Sequence, residues 1–149
     1  MEYSEILEFL APCGLSCHKC LGYMKGDIGF HSKKLQELLG NSDVYAERFS
    51  KFLPVFQNYP CFKKLLSYLA EPDCKGCRRQ SKCKYPNCGV AECYKAKGVD
   101  FCFQCDEFPC EKTNFDPHLK ARWITMNHRM KEIGVESYYE ETKDLCRYL

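Results

Sequence analysis

Cysteine is the residue type through which this chain can do chemistry. The chain has 149 residues and 13 cysteines, and eight of the cysteines lie between Cys74 and Cys110. Three more lie close together at Cys13, Cys17 and Cys20. In a reducing compartment, clustered thiols of this kind are more often metal ligands than disulfide partners. The spacing therefore predicts bound metal.

The beginning of the chain favours a reducing, cytoplasmic location. Residues 1–5 include two glutamates, and Glu8 and Pro12 interrupt the apolar stretch that follows. A secretory signal would instead show a basic region and then a continuous apolar one. The longest apolar runs span only a few residues, far short of the roughly 18 to 20 needed to cross a bilayer. We expect a cytoplasmic protein with no membrane segment.

The central cluster has enough cysteines for two tetrahedral zinc sites, because structural zinc takes four ligands. Two of its pairs are Cys-x2-Cys knuckles, whose short turns present two sulfurs to one ion. Either the two knuckles share an ion with a second site nested between them, or the pairs interleave. Cys83 is the first candidate for a spectator. The predicted ligands are Cys74, Cys77, Cys83, Cys88, Cys93, Cys102, Cys105 and Cys110.

The N-terminal triad of Cys13, Cys17 and Cys20 predicts a further metal site. A fourth ligand from His18, His31 or a downstream cysteine would make it a third closed zinc site. The same spacing of three residues and then two also suits a [4Fe-4S] cluster, because three thiolates bind iron as well as zinc. The alternative to a zinc protein is therefore an iron–sulfur redox or sensor protein.

Helical periodicity on both sides of the cysteine-rich segment predicts a mainly α fold. Before that segment, we expect helices over 4–10, with Ser4 as the cap, over a segment ending at Gly40, over 43–53 and over 61–70. After it, Asp116 and Pro117 form an N-cap followed by an N1 proline. That signal predicts a helix ending near Gly134 and a last helix over 135–148.

Between residues 71 and 112 the helical periodicity disappears, so we expect an irregular insert resembling a zinc knuckle. Metal coordination can supply about 10 to 16 kcal/mol to order such a segment. The sequence predicts a single domain over 1–149, composed of a helical part (1–70), the metal-binding module (71–112) and a C-terminal helix pair (113–149). Cys61 and Cys146 lie in helical patterns outside the clusters, and we interpret both as buried core residues.

The charge balance gives no general attraction to polyanions, because 22 basic and 20 acidic side chains leave a formal net charge of +2. The strongest local feature is a basic run, which could bind nucleic acid. We favour compensation of thiolate charge over that interpretation. The run comprises Lys75, Arg78, Arg79, Lys82 and Lys84.

Several motifs together resemble one family. They are Ala11-Pro12-Cys13-Gly14-Leu15 followed by Cys17 and Cys20, Cys74-x-Gly76-Cys77-Arg78, Cys88-x4-Cys93, Lys97-Gly98-Val99, and Cys102-x2-Cys105-x-Glu107-Phe108-Pro109-Cys110. With them, the chain is similar to a family of cysteine-rich bacterial and archaeal proteins known only as a domain of unknown function. Residues 129–136 also resemble the family's C-terminal helix pair.

The resemblance implies metal binding in a small, soluble prokaryotic protein. It leaves Cys61, Cys83 and Cys146 outside the family's motifs, and it implies no activity. The cysteines that it carries over as ligands are Cys13, Cys17, Cys20, Cys74, Cys77, Cys88, Cys93, Cys102, Cys105 and Cys110.

The function expected from the sequence is that of a binding or accessory module with two structural zinc ions, or three if the triad closes a further site. The sequence contains no Ser-His-Asp arrangement, phosphate loop or paired-carboxylate signature, so catalysis is not required. The partner is unspecified. A protein partner fits, whereas nucleic acid is the less favoured alternative and a membrane is not expected.

Overall fold

The computed structural model describes residues 1–80 and 84–148. These residues form seven α-helices and no β-strand, which confirms the prediction of a mainly α fold. None of the described helices is long and apolar enough to span a bilayer. The helices are α1 (Tyr3–Phe9), α2 (Asp27–Leu39), α3 (Ser42–Phe49), α4 (Tyr59–Ala70), α5 (Val90–Lys97), α6 (Pro117–Ile133) and α7 (Val135–Thr142), with short 3-10 helices at Pro54–Asn58 and Cys102–Gln104.

The chain divides into two compact units. The first comprises Met1–Cys20 and Cys74–Leu149, and the second comprises Leu21–Asp73. In the second unit α2 packs along α4, and the Gln36 amide donates a hydrogen bond of 3.1 Å to Ser67. The predicted cysteine ligands other than Cys83, which lies outside the described residues, all belong to the first unit.

The first unit is built around α1, α6 and α7. Contacts join α6 to α7 and α1 to α7, and the enclosed side chains form one apolar core. Gly14 lies against this core with φ +89°, and a Cβ there would come within 2.7 Å of the Met130 methyl carbon. The core residues are Ile6, Leu10, Phe101, Met126, Met130, Val135 and Tyr138.

The two ends of α6 follow the predicted signals. An Asp116 carboxylate oxygen accepts hydrogen bonds from the backbone N–H groups of His118 and Leu119, and Pro117 occupies the first helical position. The helix stops before Gly134, as expected. The last helix is shorter than predicted, because α7 ends at Thr142. In α1 the cap is Glu2 in a capping box with Glu5, so the prediction that Ser4 caps this helix is wrong.

Helix α5 corrects the prediction that residues 71–112 contain no helix. It is only eight residues long, and Val90 and Ala91 are its buried positions. Two apolar residues in one turn leave no repeating pattern in the sequence, yet they pack well because Val90 contacts Trp123 in a second buried cluster. The helix ends at Gly98, whose left-handed backbone suits glycine.

The prediction that Cys61 and Cys146 are core residues is wrong, because both are exposed. The buried positions of α4 are Leu66 and Ala70. Cys61 precedes Leu66 by five positions, which at about 100° per residue places it roughly 140° away around the helix. Cys146 follows the end of α7 and therefore has no helical face to bury.

A fully buried polar side chain joins three segments of the first unit. The Asn127 amide nitrogen donates hydrogen bonds of 2.9 Å to the backbone carbonyls of Cys13 and Trp123. Its carbonyl oxygen accepts one of 3.0 Å from the backbone N–H of Phe103. A single side chain on α6 thus fixes the loops that carry the N-terminal cysteine triad and the Cys102–Cys105 knuckle.

Replacing Asn127 with leucine should lower the free energy of unfolding by about 2 to 4 kcal/mol. Leucine fills a similar volume but leaves the Phe103 N–H and the Cys13 carbonyl without their partner. Denaturant unfolding of the two proteins measures the difference. Gln57→Leu, at an exposed position, is the matched control and should change stability by less than about 0.5 kcal/mol. Equal effects of the two substitutions would contradict the role assigned to Asn127.

Candidate metal centre

Four cysteines line one small pocket in the first unit. They are Cys93, Cys102, Cys105 and Cys110, and the pocket has a volume of about 30 Å³. The apolar residues of its lining include Val90, Phe108 and Trp123. The structure therefore brings together one complete knuckle and two further cysteines, one on each side of it in the sequence.

Different local structures position the four thiols. Cys93 lies on α5, and Cys102 begins the 3-10 helix whose end is closed by a 3.1 Å hydrogen bond from the Cys105 N–H to the Cys102 carbonyl. The N–H of Cys102 also donates to the carbonyl of Pro12 at 2.9 Å. Cys110 follows on an irregular segment, and this segment must approach α5 for the pocket to close.

Gly89 permits that approach. A Cβ at this position would lie 2.1 Å from the carbonyl oxygen of Lys112, which is backbone and cannot move aside cheaply. The Gly89 N–H donates to the Thr113 carbonyl at 3.3 Å, and the Asn114 amide donates to the Asn87 carbonyl at 3.0 Å. These contacts hold the start of α5 against the segment that follows Cys110.

Burial dominates the chemistry of Cys102. It raises the pKa of this thiol to about 11, against an opposing effect of the Trp123 indole N–H and with added contributions from Cys110, Cys93 and Cys105. The indole N–H is itself buried and forms no hydrogen bond of ordinary geometry within the described part of the chain. A donor without an acceptor beside a thiol is well placed to stabilise a thiolate.

Two lysines lie on the wall of the same pocket. Lys97 and Lys112 both pair with the carboxylate of Glu107, and together they lower its pKa to about 2, Lys112 having the larger effect. The charge of Lys97 is near Cys105 and that of Lys112 is near Cys93. The two ammonium groups therefore place positive charge beside the thiols of this pocket.

The other knuckle lies with the N-terminal triad. Cys74 is buried, and burial raises its pKa, with further contributions from the nearby Cys20 and Cys17. Cys77, four residues before the undescribed segment, packs against the second buried cluster, as Cys17, Cys88, Cys102 and Cys110 also do. We group Cys77 with Cys74 as the other half of its knuckle, so this second group comprises Cys17, Cys20, Cys74 and Cys77.

Hydrogen-bond donors surround the sulfurs of this second group. The Gly76 N–H donates to the Cys74 sulfur at 3.4 Å, and the Gln80 amide donates to it at 3.2 Å. The Tyr148 hydroxyl donates to the Cys20 sulfur at 3.9 Å. Donors of this kind stabilise thiolates and orient them, as the outer partners of metal ligands do.

The remaining predicted ligands have less defined places. Cys13 is buried beside Ala11 and Trp123, and burial raises its pKa to about 12, with further contributions from Cys102 and Cys17. Cys88 packs against the same cluster. The prediction for Cys83 lies outside the described residues. Of the two histidines suggested as a fourth ligand, His18 contacts the ring of Phe9 and His31 contacts that of Phe30.

As they stand, the described residues include no group of three or more His, Cys, Asp or Glu side chains arranged to hold a metal ion. The donor chemistry nevertheless fits zinc or iron, because each group of thiols is rich in soft ligands. The buried indole N–H without an acceptor and the N–H groups directed at Cys74 fit thiolates better than thiols. Binding would require the sulfurs to draw together and to lose their protons.

Arg78, next to the knuckle cysteine Cys77, is an internal part of the fold. Its guanidinium donates to the carbonyls of Leu10 at 3.2 Å and Asp100 at 2.7 Å. It also lies over the ring of Phe101, 4.9 Å from the centroid. Its neighbour Arg79 forms an exposed ion pair with Glu8. Both arginines named for nucleic-acid binding thus have partners within the chain.

Sequence reasoning missed Asn127, the Trp123 indole and the Lys97–Glu107–Lys112 group. Asn127 could have been found, because it is a polar residue between Met126 and Met130 on the helix face that the apolar pattern predicts to be buried. The lysines could not, since their meeting depends on how an irregular segment turns.

Arg78→Lys should lower the free energy of unfolding by about 1.5 to 3 kcal/mol. Lysine cannot reproduce two hydrogen bonds in fixed directions together with ring stacking. Arg79→Lys is the matched control and should stay within about 0.5 kcal/mol, because an exposed ion pair contributes little. Denaturant unfolding of both variants measures the contrast. A larger loss for Arg79→Lys would contradict this assignment.

The metal-free protein should lose stability as pH rises above about 8.5, where an exposed thiol ionises. Burial raises the pKa of Cys102 to about 11 and that of Cys13 to about 12. Between about pH 8.5 and these raised pKa values, the folded state retains thiol protons that the unfolded state releases, so the free energy of unfolding falls as pH rises. Unfolding in the presence of a chelator, from pH 8 to about pH 10.5, measures this slope. Cys13→Ala should make it shallower and Cys61→Ala should not, whereas identical slopes would count against the buried thiol.

The comparisons with known proteins give one match. The family described as "Protein of unknown function (DUF3795)" matches residues 9–115. No curated protein and no solved structure matches the chain. The match covers every cysteine of the two thiol groups, and it stops one residue short of the cap of α6.

Proposed function

Because the chain belongs to the DUF3795 family, whose description assigns no activity, we propose a function from its own residues: it is a zinc-binding protein whose zinc is structural. The observation that carries the proposal is the pocket lined by Cys93, Cys102, Cys105 and Cys110. Four thiolates complete the tetrahedral coordination that structural zinc prefers. We infer a binding or accessory module rather than an enzyme, since a closed site of this kind keeps no position for substrate.

The grouping of the thiols supports two interleaved sites. Cys93, Cys102, Cys105 and Cys110 line one pocket, and Cys74 lies near Cys17 and Cys20. We assign Cys77 to the second site as the knuckle partner of Cys74. This arrangement differs from a nested one, in which both knuckles would share an ion. Each set has four sulfurs, so two zinc ions account for eight cysteines and leave Cys13 and Cys88 as neighbours.

Charge compensation supports the same proposal. A tetrathiolate zinc site has a net charge of about −2, which nearby cations must balance. Lys97 and Lys112 lie on the wall of the first pocket, and Arg78 adjoins the knuckle of the second group. The chain thus places fixed positive charge beside each set of thiols. Of these three cations only Arg78 belongs to the basic run, for which the sequence favoured this role.

We also propose a reducing compartment, the cytoplasm of a prokaryotic cell. The described cysteines form no disulfide with one another, although many of them lie close together. Thiols in this arrangement are retained where cellular reductants keep them from oxidising.

A second candidate function is that of an iron–sulfur protein, with the cluster at the second group of thiols. The observation that favours it is the set of donors around the sulfurs: the Gly76 N–H and the Gln80 amide at Cys74, and the Tyr148 hydroxyl at Cys20. Hydrogen bonds to sulfur are one of the means by which proteins set the reduction potential of such clusters. A cluster here would make the chain an electron carrier or an oxidant sensor.

Elemental analysis and a visible spectrum of anaerobically purified protein test both candidates. Zinc at about two ions per chain with no visible absorption is the expected result, because closed-shell zinc is colourless. Cys102→Ala should remove about one zinc from the first site, and Cys74→Ala should remove about one from the second. Cys61→Ala, at an exposed cysteine outside both groups, is the control and should retain both.

Two other results would change the conclusion. Stoichiometric iron with a brown chromophore that Cys74→Ala abolishes would overturn zinc at the second group and establish the cluster there. Protein that is folded but contains neither metal, and that takes up neither when reconstituted, would overturn both candidates.

A further inference from the structure

A second cavity lies in the first unit, away from the four-cysteine pocket. It has a volume of about 250 Å³ and lies between the loop after α1, one face of α6, and α7 with the residues that follow it. Its lining includes four cations, Lys19, Arg122, Arg129 and Arg147, and one acidic side chain, Glu141. The walls therefore have a formal charge of +3, on a chain whose overall charge is only +2.

Three of these cations have partners inside the fold. Arg129 pairs with Glu141 and Glu132, so the one acid of the lining is already neutralised. Lys19 donates to the carbonyl of Leu145 at 2.6 Å and more weakly to that of Thr142, just after α7. The Thr142 carbonyl belongs to the C-terminal, negative end of α7, so the Lys19 ammonium offsets part of the repulsion that an anion would meet there.

The third partnered cation is Arg147, and two other groups of the lining have no partner among the described residues. Arg147 uses one guanidinium nitrogen for the carbonyl of Ser16. The side chain of Arg122 forms no ion pair or hydrogen bond within 1–80 and 84–148, and the Tyr138 hydroxyl forms no hydrogen bond there either. Tyr138 is only 6% exposed, and the charge of Arg122 is near enough to its hydroxyl to oppose the effect of burial on its pKa.

We propose that this cavity binds a small organic anion, with Arg122 and the Tyr138 hydroxyl as the groups that bind its oxyanion. A guanidinium presents paired donors that match a carboxylate or a phosphate, and the Tyr138 hydroxyl supplies a third donor. An unpaired cation and an unpaired hydroxyl in one concave site are the arrangement expected of a specific polar anchor.

The rest of the ligand is apolar and small. Leu10, Leu15, Met126 and Leu145 line the same cavity, so a short hydrocarbon or single ring would contact apolar side chains while its oxyanion contacts Arg122. The carboxylate and phosphate headgroups share this chemistry, and the binding experiment distinguishes them. The site does not depend on metal at the thiols, because no cysteine of the two proposed zinc sites lines the cavity.

Isothermal titration of the full chain tests the proposal with four probes: phenyl phosphate, benzoate, inorganic phosphate and the uncharged benzyl alcohol. We expect an aromatic anion to bind more tightly than inorganic phosphate, with benzyl alcohol the weakest. Arg122→Gln should weaken that binding at least about tenfold, since it removes a charge-assisted contact. Tyr138→Phe, which keeps the packed ring, should weaken it about threefold to tenfold. Arg48→Gln, an exposed arginine of the second unit, should leave it unchanged.

Preference for phenyl phosphate or for benzoate supports the proposal and identifies the headgroup. No binding of either anion at about 10 mM would overturn it, as would equal binding of benzyl alcohol or undiminished binding by Arg122→Gln. Thermal unfolding and metal content, measured on the same samples, show that the variants are folded and keep this test independent of the zinc proposal.

Discussion

The first unit depends on the three hydrogen bonds of Asn127. A buried amide without partners would destabilise the core by several kcal/mol, so this side chain allows only an arrangement in which the Cys13 loop and the Phe103 N–H both reach α6. Apolar packing around Met126 and Met130 provides stability but little direction. The hydrogen bonds of the amide are directional, and they fix the backbone at Cys13 and Phe103, close to the cysteines of both thiol groups.

The buried thiols are subject to two opposing effects on their ionisation. Burial raises the pKa of Cys13, Cys74 and Cys102. The Trp123 indole at Cys102 and the Gly76 N–H at Cys74 act in the other direction. A cation entering either group would reverse the balance, because its charge outweighs the cost of desolvation. Burial therefore favours the protonated thiols of Cys13, Cys74 and Cys102, and the zinc that we propose would favour thiolates on binding.

The sequence predicted the features that depend on local signals. Asp116 and Pro117 marked the start of α6, Gly134 marked its end, and the apolar patterns on both sides of the cysteines indicated a mainly α fold. Helix α5 was missed because two buried residues leave no periodicity. The burial predicted for Cys61 failed because the pattern gave the wrong face of α4. The partners of each knuckle were left open, since the grouping of distant loops depends on tertiary contacts that spacing does not encode.

The order of segments along the chain has a consequence for synthesis. Leu21–Asp73 is continuous, whereas the first unit is assembled from residues on both sides of it. On the ribosome, all residues of the second unit are synthesised before Cys74, which lies near Cys17 and Cys20 in the folded protein. Asn127 emerges later still, so the N-terminal cysteines spend most of translation without their native neighbours. At about 5 to 20 residues per second, that interval lasts several seconds, during which other thiols, oxidants and metal ions have access to them.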